Sequence, residues 1–132
     1  MSVNDPIADM LTRIRNGAKQ KFASVDMPAS RMKMEVLKIL KREGYIKNFV
    51  TRKRKSYNML KVYLKYSETG ECSFEKIERV STPGRRTYVD KKTIPIVAGG
   101  NGTAIISTSR GLLTSQEAAK RGLGGEVVMR IW

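Results

Sequence analysis

Two short segments concentrate groups able to make directed polar contacts: Ser107-Thr108-Ser109 and Gly124-Gly125-Glu126. The hydroxyls follow an apolar run, Ala104-Ile105-Ile106. Strand alternation there sends Ser107 and Ser109 to one face and Thr108 to the other. A hydroxyl both donates and accepts, which suits ribose 2′-OH groups, base edges and phosphates. The alternative is a strand end that satisfies its own turn. At the second segment, glycine lets backbone approach a ligand closely or take positive φ. Glu126 either accepts hydrogen bonds from base amino groups or holds neighbouring backbone amides.

Cations and aromatics add further candidates. Thr82-Pro83-Gly84-Arg85 reads as a tight turn, and Arg86 and Tyr88 follow it. Arg86 can reach phosphate, and Tyr88 can stack on a base; the other reading of Tyr88 is a core or edge aromatic. Arg52-Lys53-Arg54-Lys55 can grip phosphates without reading sequence, or can be a solvated turn. Lys61, Tyr63 and Lys65 form a strand face that is either an RNA-backbone contact or an ordinary half-solvated sheet surface.

Catalysis finds little support. The chain has no histidine, which removes the commonest general base, the usual triads and most zinc sites. Cys72 is the single cysteine and lies between Glu71 and Glu75, which disfavour its thiolate. Neither glycine cluster completes G-x-G-x-x-G, because positions 105 and 127 are Ile and Val, and no Walker pattern exists. No catalytic residue, metal site, cofactor or small-molecule substrate is expected. A nuclease built on carboxylates and lysine is the alternative from the enzyme class, and a DNA-binding protein the alternative among binders.

The 132 residues carry 26 Lys+Arg against 12 Asp+Glu, a formal net charge of +14. Such self-repulsion is relieved by a polyanion, nucleic acid first and an anionic membrane surface second. Residues 1–71 hold 16 basic and 7 acidic side chains, and residues 72–132 hold 10 and 5, so the charge is no mere basic arm. Hydrophobic residues make up 40%, enough for a core. No run of 18 apolar residues and no secretory n-region or h-region appears, so a cytoplasmic protein without membrane attachment is expected. The single cysteine fits a reducing compartment.

The elements that must position these groups follow from periodicity. Asn4 or Asp5 caps a first helix, Pro6 sits in its first turn, Ile7, Met10, Leu11 and Ile14 form its stripe, and Asn16-Gly17 stops it. Phe22 to Met27 is a strand ended by Pro28. Ser30 caps a second helix with Met32, Val36, Ile39 and Leu40 inward and Gly44 beyond its end. Residues 45–50 and 57–66 form a hairpin joined by residues 51–56. Strands are expected at 72–80, 86–89, 103–107 and 126–132, with a flexible connection at 99–102. Thr114-Ser115-Gln116-Glu117 is a capping box that opens a helix ended by Gly122. The fold class is α+β: an N-terminal α/β subdomain, 1–66, packed on a β-rich C-terminal subdomain with one short helix, 72–132, across a connecting turn at 67–71.

Several segments together resemble one family. They are D-P-I-A-D-M-L-T-R-I-R-N at 5–16, Pro28-Ala29-Ser30, L-K-R-E-G-Y-I at 40–46 and P-G-R-R-T-Y at 83–88. They continue with S-T-S-R-G-L-L-T at 107–114, E-A-A-K-R-G-L-G-G-E-V at 117–127 and Ile131-Trp132. In this order they resemble the family of bacterial small-subunit ribosomal protein eight over nearly the whole chain. The resemblance implies a primary binder of small-subunit ribosomal RNA, cytoplasmic within the small subunit. It implies recognition of a helical stem in the central domain, a part in platform assembly, and contacts with ribosomal proteins S five and S twelve. It carries the RNA contacts onto Ser107, Thr108, Ser109, Gly124, Gly125, Glu126 and Tyr88. Arg86 accompanies them, and Lys55 and Lys33 are the expected backbone contacts of the N-terminal subdomain.

Overall fold

In a computed structural model, which describes residues 5–132, the chain divides into two units. Pro6–Phe74 form one; Glu75–Trp132, with Asp5, form the other. The division falls after the expected 67–71 turn because that turn folds back on the first unit. Tyr66 bridges Cys72, and Ser73 N–H donates to the Lys65 carbonyl at 3.0 Å. The Ser73 hydroxyl donates to the Tyr45 carbonyl, and Phe74 is buried.

The first unit orders α1 (Pro6–Lys19), β1 (Ser24–Pro28), α2 (Arg31–Arg42), β2 (Ile46–Arg54) and β3 (Tyr57–Leu64). The strands form an antiparallel sheet in the order β1-β3-β2. Ile7, Met10, Leu11 and Ile14 are buried along α1, as their spacing predicts. The Asn4 alternative for its cap lies outside the described residues. The helix runs past Asn16-Gly17. Gly17 is a packing residue, since a Cβ there would collide with the Val25 side chain of β1. Lys21, at φ 62°, takes the left-handed turn beyond the helix end instead.

Ser30 caps α2, its hydroxyl accepting from Lys33 N–H at 3.2 Å. The buried face is Lys33, Val36, Leu37 and Leu40, with Ile39 beside it. Of the expected stripe, Val36, Ile39 and Leu40 are buried, while Met32 is exposed and Lys33 and Leu37 join the buried face. Lys33 takes this core position because its aliphatic stem packs while its ammonium donates to the Pro28 carbonyl at 2.8 Å. The hairpin is longer than its sequence suggests. Residues 51–54 continue β2 to an Arg54–Tyr57 pair, which leaves Lys55-Ser56 as the turn.

The second unit holds β4 (Ile77–Arg79), β5 (Tyr88–Val89), β6 (Thr103–Thr108), β7 (Gly111–Thr114), α3 (Ser115–Arg121) and β8 (Gly125–Ile131). Its sheet is ordered β4-β8-β6-β7, and β5 pairs with β8 beyond the end of β4. The capping box forms as expected: Thr114 Oγ1 accepts from Glu117 N–H at 3.1 Å and Glu117 Oε1 accepts from Thr114 N–H at 3.0 Å. Gly122, at φ 67°, ends α3. Ala118 on α3 packs with Ala104, Ile106, Leu113, Val127 and Val97. The strand expected at 72–80 shrinks to three residues, since Cys72 and Ser73 bond to the first unit. The connection at 99–102 is a 3-10 turn over Ala98–Gly100. β7 was not foreseen: two residues, Ser109-Arg110, turn the chain back on β6, with Gly111 at φ 93°.

The burial of Lys33 sets a stability test. Lys33→Ala should cost about 1–3 kcal/mol through lost packing and an unpaired Pro28 carbonyl. Lys41→Ala, on the exposed side of the same helix, should stay within about 0.5 kcal/mol of the parent in urea denaturation. Equal effects of the two would contradict the buried role.

Candidate nucleic-acid interface

The start of β8 is the crowded centre of the C-terminal sheet. Gly125 pairs with Val89 on one side, and Glu126 pairs with Tyr88 on that side and Ser107 on the other. Directly paired residues share a face, so Tyr88, Glu126 and Ser107 form one row across three strands. One pleat along, Ile105 and Met129 occupy the same face and are buried. The row stands where that face turns from buried to open. Tyr88 is 68% exposed, while Ser107 and Glu126 are half-buried.

The glycines answer to the protein itself. Neither Gly124 nor Gly125 has positive φ. A Cβ on Gly125 would land on the Ser107 carbonyl, and one on Gly124 would land on the Val89 carbonyl. They are glycine because three backbones converge there, and the expected loop is the entry and first residue of a strand.

Glu126 is equally committed. Its Oε2 accepts from the Ser81 hydroxyl and, at 3.0 Å, from Arg86 Nη1. Ser81 is fully buried, and its Oγ also accepts from Thr87 N–H at 3.2 Å. Burial would raise the pKa of Glu126. The hydrogen bonds from Ser81 and Arg86, with the positive charges of Arg86 and Arg79, outweigh it, and the carboxyl is held below its ordinary 4.5. The carboxylate thus fastens the 81–87 loop to β8 and orients Arg86. Neither sequence reading of Glu126 included a hydroxyl partner at Ser81, which stands 45 residues away.

The three hydroxyls separate into two kinds. Thr108 Oγ1 donates to the Gly111 carbonyl at 2.8 Å and accepts from Arg110 N–H at 3.0 Å, so it closes the β6–β7 turn. Ser109 is not on a strand face, as alternation implies, but exposed at that turn. Among the described residues, the Ser107 and Ser109 side chains make no hydrogen bond, which leaves both available to a ligand. Arg110 lies exposed beside them. On the other flank, the Asp90 carboxylate accepts from Lys92 N–H at 2.8 Å and Thr93 N–H at 3.0 Å. It forms a turn that presents Lys91 and Lys92 to solvent. Those hydrogen bonds hold the Asp90 pKa down. Arg110, Lys91 and Lys92 are cations that sequence reasoning did not single out; the D-K-K-T turn was the available signal for the two lysines, and the S-R-G turn for Arg110.

The N-terminal candidates diverge. Lys55 is exposed at the tip of the β2–β3 hairpin. Lys33 is buried with its ammonium donating to the Pro28 carbonyl, so it is not presented to a phosphate, and desolvation lowers its pKa. Among the described residues, no group of His, Cys, Asp or Glu is placed to hold a metal ion. No described helix is long and apolar enough to cross a membrane.

The chain is thus strongly basic and α+β, with an open row of hydroxyl, carboxylate and aromatic groups on one sheet. The family model for "Ribosomal protein S8" matches residues 5–132. Curated relatives named "Small ribosomal subunit protein uS8" align along their whole length. The Thermodesulfovibrio yellowstonii protein is 50% identical over 98% of this chain and 99% of its own. Those of Halothermothrix orenii and Bifidobacterium longum subsp. infantis are 49% and 51% identical, each over 100% of both chains. The chain belongs to the ribosomal protein S8 family, whose members are structural ribosomal proteins and not enzymes.

The lowered pKa of Glu126 makes a pH prediction. A carboxyl with a folded pKa below its unfolded one stabilises the protein above the unfolded value, and that contribution is lost as pH falls through the folded one. Glu126→Gln should therefore be less stable than the parent at neutral pH. The gap in urea midpoints should narrow as the pH drops below 4.5. A gap that widens there would contradict the paired carboxylate.

Proposed function

We propose that this ribosomal protein is a primary binder of small-subunit ribosomal RNA, working in the cytoplasm as part of the small subunit. It docks on a helical stem of the central domain through the C-terminal row and helps organise the platform. Ribosomal proteins S five and S twelve are its proposed neighbours, on the family resemblance. The observation that carries the reading is the register of Tyr88, Glu126 and Ser107 on one open sheet face, with the Ser107 and Ser109 hydroxyls unbonded.

The work divides by chemistry. Arg86, Arg110, Lys91 and Lys92 place the sheet on phosphates. Ser107 and Ser109 donate to or accept from ribose and base edges, and the exposed Tyr88 ring stacks on an unpaired base within an irregular stem. Glu126 positions Arg86 while Gly124 and Gly125 hold the strands together, so these three act through the shape of the surface. Thr108 fixes the turn that presents Ser109. Lys55 adds a phosphate contact from the hairpin tip, and Lys33, buried with its ammonium on the Pro28 carbonyl, is left out of the proposed interface.

Ser109→Ala should weaken binding to a central-domain RNA fragment by about 1–2 kcal/mol, the scale of a lost hydrogen bond. Filter binding at fixed salt, with duplex DNA as competitor, measures it. Unchanged affinity would remove Ser109 from the interface.

A further inference from the structure

The outer face of the N-terminal sheet is a second place where RNA chemistry collects. β3 places Tyr57, Met59, Lys61 and Tyr63 on one face, and its partners add Arg54, Arg52, Val50 and Asn48 from β2 in that order. The opposite face carries Leu60, Val62 and Leu64, which are buried. On that buried face Thr51 Oγ1 donates to Met34 Sδ of α2 at 3.8 Å, which identifies the helix-covered side. The outer face is therefore the open one. Tyr57 is 57% exposed, Arg52 and Arg54 are exposed, and Met59, Lys61 and Tyr63 are half-buried. The Lys61 ammonium lies over the Tyr63 ring, 5.5 Å from its centre. β1 contributes one carboxylate, Asp26, opposite Lys61. Among the described residues, neither Arg52 nor Arg54 forms an ion pair.

We propose that this face binds a single-stranded RNA segment, with Tyr57 and Tyr63 as stacking platforms and Arg52, Arg54 and Lys61 as phosphate contacts. Aromatic side chains on a flat sheet can stack only on bases that are not paired, because a duplex buries the faces of its bases. Tyr57 and Tyr63 are six residues apart on β3, roughly 20 Å at strand rise, so the face spans several nucleotides. Arg54 stands directly across from Tyr57, so a stacked base and its phosphate meet neighbouring side chains. Met59 and Val50 provide an apolar floor between the rings. Three cations against one carboxylate set the sign of the partner. The surface lies on the other unit from the C-terminal row and needs none of that row's residues.

The test uses the full chain and two labelled probes at matched salt: an unstructured adenine–uridine octanucleotide and a blunt RNA duplex of equal length. The octanucleotide should bind more tightly than the duplex. Tyr57→Ala should weaken octanucleotide binding about tenfold, and Tyr57→Phe should restore it. Arg52→Gln with Arg54→Gln should lower the slope of log affinity against log salt by about one. Tyr57→Ala should leave binding to the central-domain stem fragment unchanged, which separates this proposal from the stem-binding one. The proposal is overturned if Tyr57→Ala binds the octanucleotide as the parent does or if the duplex binds as well as the single strand. Equal competition by a polyglutamate peptide would also overturn it, since the face would then read charge alone.

Discussion

At the start of β8 three backbones come so close that two successive side chains are excluded. Gly124 lies against Val89 and Asp90, and Gly125 against the Ser107 carbonyl. Glu126, the next residue, is the first with room to project, and it emerges between Tyr88 and Ser107. Its carboxylate ties down Ser81 and Arg86 and so fixes the loop that delivers β5. The positions of Tyr88, Ser107 and the Ser109-Arg110 turn relative to one another all follow from this junction. A Cβ at either glycine would separate the strands and spread the row.

Several acidic residues pair with basic ones. Asp9 pairs with Arg13 at 2.9 Å, Glu78 with Arg130 at 2.6 Å, and Asp5 with Arg79 at 3.3 Å. The exposed pairs contribute little stability by themselves, since solvent screens them. Asp5–Arg79 is largely buried, and in Glu126–Arg86 the carboxylate is the less exposed partner. Arg79 also donates to the Val128 carbonyl at 2.7 Å, so it braces β8 near the row. The remaining positive excess destabilises the isolated chain and favours a polyanionic partner.

Local patterns made much of the architecture legible. The apolar stripe of α1, the Ser30 cap, the 114–117 capping box and the alternation in β3 depend on near neighbours, and each forms. What escaped depends on residues distant in sequence. Gly17 reads as a helix stop until Val25 is placed against it. Lys33 reads as a surface cation until the Pro28 carbonyl receives its ammonium. The hydroxyl triplet and the glycine pair stand out in the sequence as candidates. That Thr108 serves its own turn, and that the glycines serve strand contact, required the registers of β6, β7 and β8. β7 was hidden because its four residues, Gly111–Thr114, read as the approach to a capped helix.

The central claim is that a preorganised row, and not net charge, confers recognition. The direct measurement compares affinities for a central-domain rRNA stem and a scrambled stem of equal length, across a salt series, for the parent and for Ser107→Ala with Tyr88→Ala. The account predicts that the variant loses most of the discrimination between the stems while its salt slope stays unchanged, because no phosphate contact has been removed. Undiminished discrimination in the variant would contradict it.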